Sequence, residues 1–289
     1  MLFKCHNCGV GKHFGTFLKD YDPVLYQAYV LERYSTGAPT RQAHTNYEAI
    51  AKKATVVPLS VTKKFERLAV RLDEAGEDNP VVQYCLERGI PEDKLDRLYA
   101  LDGAQALELF PHYKGRFKPG AVRLAIPLYN TEHRLTGVSL RAVTKSGTLR
   151  YIILKPDSGS EDDPLIFGME HVNPARTVYA TEGAIDSLFL PNAIACNGTS
   201  FGKIEELSIP EENVVVVIDN QPRNREVCKF YEKYIARGYR VVIWPDNVKE
   251  KDLNEMAVAG HNVERLVKAN TFSGVAAELA YARWRKVRT

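Results

Sequence analysis

The chain has 289 residues, 45% hydrophobic and 26% charged, with a net charge of +3. That is the balance of a globular protein with material for two small domains and a buried core. It has no apolar run near the roughly 18 residues of a membrane span and no opening signal-peptide pattern. Its five cysteines form no paired framework, which fits a reducing cytoplasm better than an oxidising compartment.

The chain opens on Cys5-His6-Asn7-Cys8-Gly9, a metal knuckle. Two thiolates fill half of the tetrahedral shell of a structural zinc, with His6 and His13 the nearest supplements, so Cys5 and Cys8 make an incomplete site. Phe17, Leu18, Tyr21, Leu25 and Tyr29 then fall near helical spacing, with Asp22-Pro23 as an N-cap and first-turn proline. Residues 36–60 are polar, contain Gly37 and Pro39, and show no period, which marks a linker.

From Val61 to Leu101 the pattern is helical. Asn79-Pro80 supplies a cap and a first-position proline, Gly89 supplies the stop, and Pro91-Glu92-Asp93-Lys94 starts another helix. Val122–Leu128, Gly137–Val143 and Leu149–Leu154 read as strands joined by the turns Asn130-Thr131-Glu132-His133 and Lys145-Ser146-Gly147. Between Lys114 and Lys155 there are nine Lys and Arg residues against Glu132 alone, a one-signed stretch suited to holding phosphates. Arg123, Arg141, Lys145 and Arg150 are the cations in and beside these strands. They would meet a nucleic-acid backbone and triphosphate there, or else form a solvated sheet face.

The last third alternates strands and helices. Val178-Tyr179-Ala180-Thr181 ends in Glu182-Gly183, Val214–Ile218 ends in Asp219, and Arg240–Trp244 is followed by Pro245-Asp246 and then Lys251-Asp252-Leu253-Asn254. Apolar β-branched runs of this kind are buried parallel strands, and α/β sheets bind ligands beyond the C-terminal ends of such strands. Each acid has a plainer use as a cap or helix-dipole partner. Glu182, Asp219 and Asp252 on one rim would make an oxygen-only cation site suited to Mg²⁺ or Mn²⁺. Asp186 lies one turn beyond Glu182, as metal support or as a structural hydrogen-bonding group, and Gly183 permits the change of direction into the next helix. Pro222 is expected to open the helix after Asp219, and helices run from Asp252 to the end, the last from Gly274 to Lys286.

The order Glu182-Gly183, Asp219-Asn220-Gln221, Lys251-Asp252-Leu253-Asn254 resembles the Toprim domain shared by primases, topoisomerases and some nucleases. Arg123–Asn130, Gly137–Ala142 and Arg150 through Gly168 are similar to the basic subdomain before Toprim in bacterial and phage primases, most of all those of T-even-type bacteriophages. The similarity extends to Phe3–Tyr29 and is weakest over 36–61. It implies an α/β (α+β) fold: a Rossmann-like parallel Toprim sheet preceded by a smaller, β-rich basic subdomain and a zinc-ribbon remnant. The implied division is 1–35 for the partial ribbon and helix, 36–60 for the linker, 61–175 for the basic subdomain, and 176–289 for Toprim with its C-terminal helices.

It further implies synthesis of RNA primers from ribonucleoside triphosphates on single-stranded DNA by two-metal nucleotidyl transfer, with Glu182, Asp219 and Asp252 holding Mg²⁺. Asp186, Gln221 and Asn254 support them, a replicative helicase is the partner, and the place is the host cytoplasm if the protein is phage-encoded. Two departures stand out: only one of the family's two Cys-x-x-Cys pairs is present, and Gln221 replaces a usual acid. They keep open a rival reading as a nuclease-type or non-catalytic Toprim protein that binds DNA as an accessory factor.

Overall fold

The computed structural model describes residues 2–4, 11–35, 60–115, 120, 122–144, 149–157, 165–197, 204 and 207–287. Cys5, Cys8, Lys145 and nearly all of the 36–60 linker lie outside them. The chain divides into two compact units, Met1–Val57 and Pro58–Thr289. In the first, β1 (Leu2–Lys4) pairs antiparallel with β2 (Gly11–His13), followed by α1 (Phe14–Tyr21) and α2 (Pro23–Ser35). Asp22 breaks the two helices apart: its carboxylate accepts the Val24 and Leu25 N–H groups at 2.9 and 3.1 Å.

The second unit contains two five-stranded sheets. Helix α3 (Val61–Leu68) leads into β3 (Val70–Arg71), then α4 (Pro80–Glu87), β4 (Tyr99–Leu101) and α5 (Gly103–Leu109). β5 (Arg123–Tyr129), β6 (Leu135–Ala142) and β7 (Tyr151–Leu154) complete an antiparallel meander in the order β3-β4-β5-β6-β7. α4 begins and ends where the local code directs. Asn79 accepts the Val81 N–H at 2.9 Å, Pro80 needs no donor at the first position, and Gly89 takes φ +66° after the last turn. Pro91–Lys94 instead leads into a 3₁₀ turn, Glu92–Arg97.

The other sheet follows with β8 (Val178–Thr181), the single-turn α6 (Ala184–Ser187), β9 (Ala193–Ala195), β10 (Val214–Val217), α7 (Arg225–Ala236) and β11 (Arg240–Val242). α8 (Leu253–Val258), α9 (Val263–Ala269), β12 (Thr271–Phe272) and α10 (Gly274–Trp284) close the chain. β11, β10, β8 and β9 are parallel, and β12 is an antiparallel edge that the hydrophobic pattern did not reveal. Val214–Val217 are all buried, as a central strand covered on both faces requires. Pro222 does not open α7; Asn224 caps it, accepting the Glu226 N–H at 3.0 Å.

Strand alternation splits the antiparallel sheet between two cores. Leu124, Ile126 and Leu128 pack with Val81, Cys85, Ala184, Ile185 and Leu188, joining the meander to α4 and α6. Ala125, Val138, Leu140 and Leu154 face the other way, onto Phe65, Ala106 and Phe110. Burying such side chains contributes about 1.5–3 kcal/mol each, so this shared core holds the two sheets at a fixed distance. Among the described residues no helix is long and apolar enough to cross a membrane.

Candidate active site

Parallel strands deliver their last residues to one rim: Glu182 follows β8 directly, and Asp219 comes two residues after β10. The third acid needs more help, because Asp252 lies ten residues beyond β11. Asn220 brings it in. Its side-chain amide donates to the Val248 and Glu250 carbonyls at 3.1 and 3.0 Å, and its backbone N–H donates to the Lys251 carbonyl at 2.6 Å. Trp284 Nε1 holds the Asn220 Oδ1 at 2.9 Å. With its donors and acceptor all used, Asn220 stitches the 248–251 segment to the end of β10; the sequence reading missed this residue and Trp284.

Lys251 then places its ammonium 3.0 Å from Asp219 Oδ2, and the Gln221 amide donates to that same oxygen at 3.1 Å. Asp252 caps α8, its Oδ1 accepting the Glu255 N–H at 2.8 Å. The capping use weighed for Asp252 is therefore present, and it leaves the other carboxylate oxygen unassigned by that bond. Asp246 is apart from this group, with an 84% exposed side chain 3.6 Å from the Lys286 ammonium.

The acids act on one another. Burial raises the pKa of Glu182, Asp219 adds to the rise, Lys251 opposes it and Asp252 adds further. Asp219 is also raised, by burial, against the pull of Lys251. Asp186 is pushed up to about 7 by deep burial and by the charges of Asp252 and Asp219. Partly buried carboxylates beside one lysine, with Asp219 and Asp252 raising both Glu182 and Asp186, form a donor set that calls for more positive charge, and its hard oxygens match Mg²⁺ chemistry. Among the described residues no three of His, Cys, Asp or Glu are already spaced to hold one ion. The acids influence one another electrostatically, and Lys251 supplies cationic charge to Asp219.

Gly183 has a different purpose from the one its position suggested. Its φ of −105° is open to any residue, so no unusual turn requires it. A Cβ there would lie 2.6 Å from Asp186 Oδ2, so the glycine makes room for that carboxylate.

A groove of about 250 Å³ runs between the two sheets, lined by Glu182, Asp186, Ser139, Arg141, Tyr151 and Asn197 with a few apolar neighbours. Arg141 thus shares a cavity with two of the acids. Arg123 does not. In the β5–β6 register Leu124 faces Arg141 and Arg123 faces Ala142, so the two arginines leave opposite faces of the sheet. Arg123 donates to the Leu149 carbonyl at 2.9 Å, a bond that ties β5 to the start of β7. Arg150 is exposed. The Ser139 hydroxyl is fully buried beside the Tyr151 hydroxyl, which meets Asn197 Oδ1 at 3.4 Å.

The Asn254 side chain bonds Arg88 rather than the acids. Its Oδ1 accepts Arg88 Nη1 at 2.5 Å, its amide donates to the Arg88 carbonyl, and its backbone N–H donates to Asp186 Oδ1 at 3.1 Å. Tyr84, one turn earlier on α4, accepts Arg141 Nε at 2.7 Å. Neither Tyr84 nor Arg88 bears any local signature of a site, because their partners lie 57 and 166 residues away.

A parallel and an antiparallel sheet enclosing an acid-rimmed groove define a class: the chain has the fold of the RNA polymerase domain of bacterial primases. It superimposes on the Aquifex aeolicus primase, zinc-binding and RNA polymerase domains, with a TM-score of 0.56, 19% identity, and 94% of this chain and 73% of that one covered. The E. coli primase catalytic core gives 0.56 and 16%, over 76% of this chain and 82% of that one. A DnaG primase catalytic domain bound to single-stranded DNA gives 0.56 and 15%, over 76% and 81%. In sequence, the chain is 28% identical to the DNA primase of Enterobacteria phage T4, across 98% of this chain and 81% of that protein. No family model matches the chain.

Proposed function

We propose that this chain is a DNA primase, making short RNA primers from ribonucleoside triphosphates on single-stranded DNA. The observation that carries the reading is one groove in which Arg141 faces Glu182 and Asp186, with Asp219 and Asp252 acting electrostatically on the same acids. That groove sits in a chain similar over 98% of its length to a phage primase. The Toprim assignment of residues 176–289 rests on the same acids at the ends of β8 and β10.

Glu182, Asp219 and Asp252 are the residues to hold Mg²⁺, which would supply Lewis-acid activation of a 3′-hydroxyl and charge neutralisation on the triphosphate. Arg141 gives a planar, bidentate phosphate clamp from the opposite wall. Lys251 holds the Asp219 carboxylate in place, and Tyr151 offers a hydroxyl along the groove for sugar or phosphate oxygens. Exposed Arg150 would meet a template strand, Lys145 of the same basic stretch of sequence would add to that contact, and a replicative helicase would deliver the template. Cys5 and Cys8 would contribute half of a zinc ribbon.

The rival is a non-catalytic or nuclease-type Toprim protein, favoured by Gln221, whose neutral amide rests on Asp219 where related domains carry an acid. One experiment separates the two. Ribonucleotide incorporation on single-stranded DNA is measured with and without Mg²⁺, alongside the Asp219→Ala protein. Primase action predicts Mg²⁺-dependent products that Asp219→Ala abolishes while its circular dichroism is unchanged. Full primer yield from Asp219→Ala, or DNA cleavage in place of incorporation, overturns the reading.

A further inference from the structure

We infer that helix α4 is a positioning strap for the groove, with Arg88 setting the acid rim through Asn254 and Tyr84 setting Arg141. The inference rests on the primase reading for its purpose and on a continuous set of contacts for its substance. Arg141 Nε donates to the Tyr84 hydroxyl at 2.7 Å, and the Arg88 guanidinium lies 4.9 Å from the centre of the Tyr84 ring. Arg88 then grips both ends of the Asn254 carboxamide, with guanidinium to Oδ1 at 2.5 Å and carbonyl to amide. The Asn254 backbone N–H reaches Asp186 Oδ1 at 3.1 Å, and Asn254 sits two residues after Asp252 in the first turn of α8. One surface of one helix therefore touches both walls of the groove.

The geometry favours a positioning role over a packing one. The Asn254 side chain is 6% exposed, and a carboxamide buried that far must be satisfied on both atoms. Arg88 satisfies both, so it fixes the amide plane and, through the backbone, the start of α8. A pure packing contact would be met by an apolar pair of similar volume at no loss. The start of α8 carries Asp252 as its cap, so a wobble there moves a rim carboxylate directly. Groups that orient metal ligands from behind typically change affinity by about 10- to 100-fold when removed. Tyr84 works on the other wall: without its oxygen, Arg141 keeps its charge and loses its aim.

The test uses the full chain and reads metal binding directly, through Mn²⁺ titrations followed by electron paramagnetic resonance, alongside primer synthesis. Arg88→Ala, which removes the donor to Asn254 Oδ1, is expected to weaken Mn²⁺ binding on the order of tenfold, and Asn254→Ala, which removes both side-chain bonds, at least as much. The double variant should be no weaker than Asn254→Ala, because the Arg88 side chain acts through Asn254. Arg88→Lys should recover part of the loss by restoring a cationic donor to Asn254 Oδ1, the backbone carbonyl that accepts from the Asn254 amide being present in every variant. Tyr84→Phe, which changes a single oxygen, should leave Mn²⁺ binding unchanged and raise the nucleotide KM several-fold; it also serves as the informative variant where Arg88→Ala fails to fold. Wild-type Mn²⁺ affinity in Arg88→Ala, multiplicative losses in the double variant, an unchanged KM in Tyr84→Phe, or no Mn²⁺ binding by the wild-type chain each overturns the strap. Wild-type chain that binds Mn²⁺ yet makes no primers overturns the primase reading and leaves the titration to judge the strap.

Discussion

The two five-stranded sheets of the second unit carry the site in opposite ways. In the mainly parallel sheet β11, β10, β8 and β9 run the same direction, so the residues after β8 and β10 arrive at a single rim and Glu182 and Asp219 need only follow their strands. In the antiparallel sheet neighbouring strands reverse and successive side chains alternate between faces. Arg141 therefore enters the groove, while Arg123, across the same strand pair, leaves on the far side. A parallel sheet gathers chemistry at an edge, and an antiparallel sheet sorts it by parity.

The sharpest way to break this comparison is to treat the two arginines alike. Arg141→Ala should cut primer synthesis by about 100-fold, the cost of losing charge-assisted phosphate contacts. Arg123→Ala should stay within a few-fold of wild type in activity and lose about 1 kcal/mol of stability with its bond to the Leu149 carbonyl. Initial rates and urea melts of both proteins check this, and equal activity losses would erase the distinction between the two faces.

On the acid rim, Asp186 gives a test through pH. Its folded pKa of about 7 lies above the ordinary aspartate value near 3.9, so the fold binds the proton more tightly than the unfolded chain does. Stability through this group therefore falls as pH rises from about 4 to about 7, and the full penalty persists above that. Asp186→Asn should raise the melting temperature at pH 8 by several degrees in metal-free buffer and have little effect near pH 4. Thermal melts at the two pH values decide it, and a uniform shift would mean that the carboxylate is not destabilised by burial.

The smallest expected effect belongs to Gln221. Its amide already touches Asp219 Oδ2, so Gln221→Glu puts a carboxylate where ligand charge tunes metal affinity. The Mg²⁺ needed for half-maximal synthesis should fall by about two- to fivefold, and an unchanged titration would remove Gln221 from the metal's surroundings.

Much of this was written locally. The buried run Val214–Ile218 with an acid at its end, the Asn79-Pro80 start of α4 and the hairpin turn at Asn130 are all decided within a few residues, where propensity and capping act. Asn130, for example, uses one side-chain oxygen to accept the Glu132 and Arg134 N–H groups at 3.0 and 2.9 Å. Gly183 was identified as a glycine position for the wrong reason: backbone freedom was the local guess, whereas the Asp186 carboxylate occupies the space a Cβ would need. The edge strand β12 has two residues and no period to read. Its pairing with β11 comes from the sheet it joins.

By itself the sequence determined the parallel strands, the acids that end them, and the one-signed charge of the meander, because hydrophobic period, capping and charge are properties of neighbouring residues. Only the tertiary structure decided which cations meet those acids, and that Asn220 draws Asp252 in toward Asp219. It alone decided that Tyr84 on α4 and Arg88 at the C-terminal cap of that helix hold the two walls of the groove. These are contacts across 28 to 166 residues of chain. Such contacts exist only once the apolar faces of β5, α4 and α6 have been buried together, so nothing in the neighbourhood of either partner announces them.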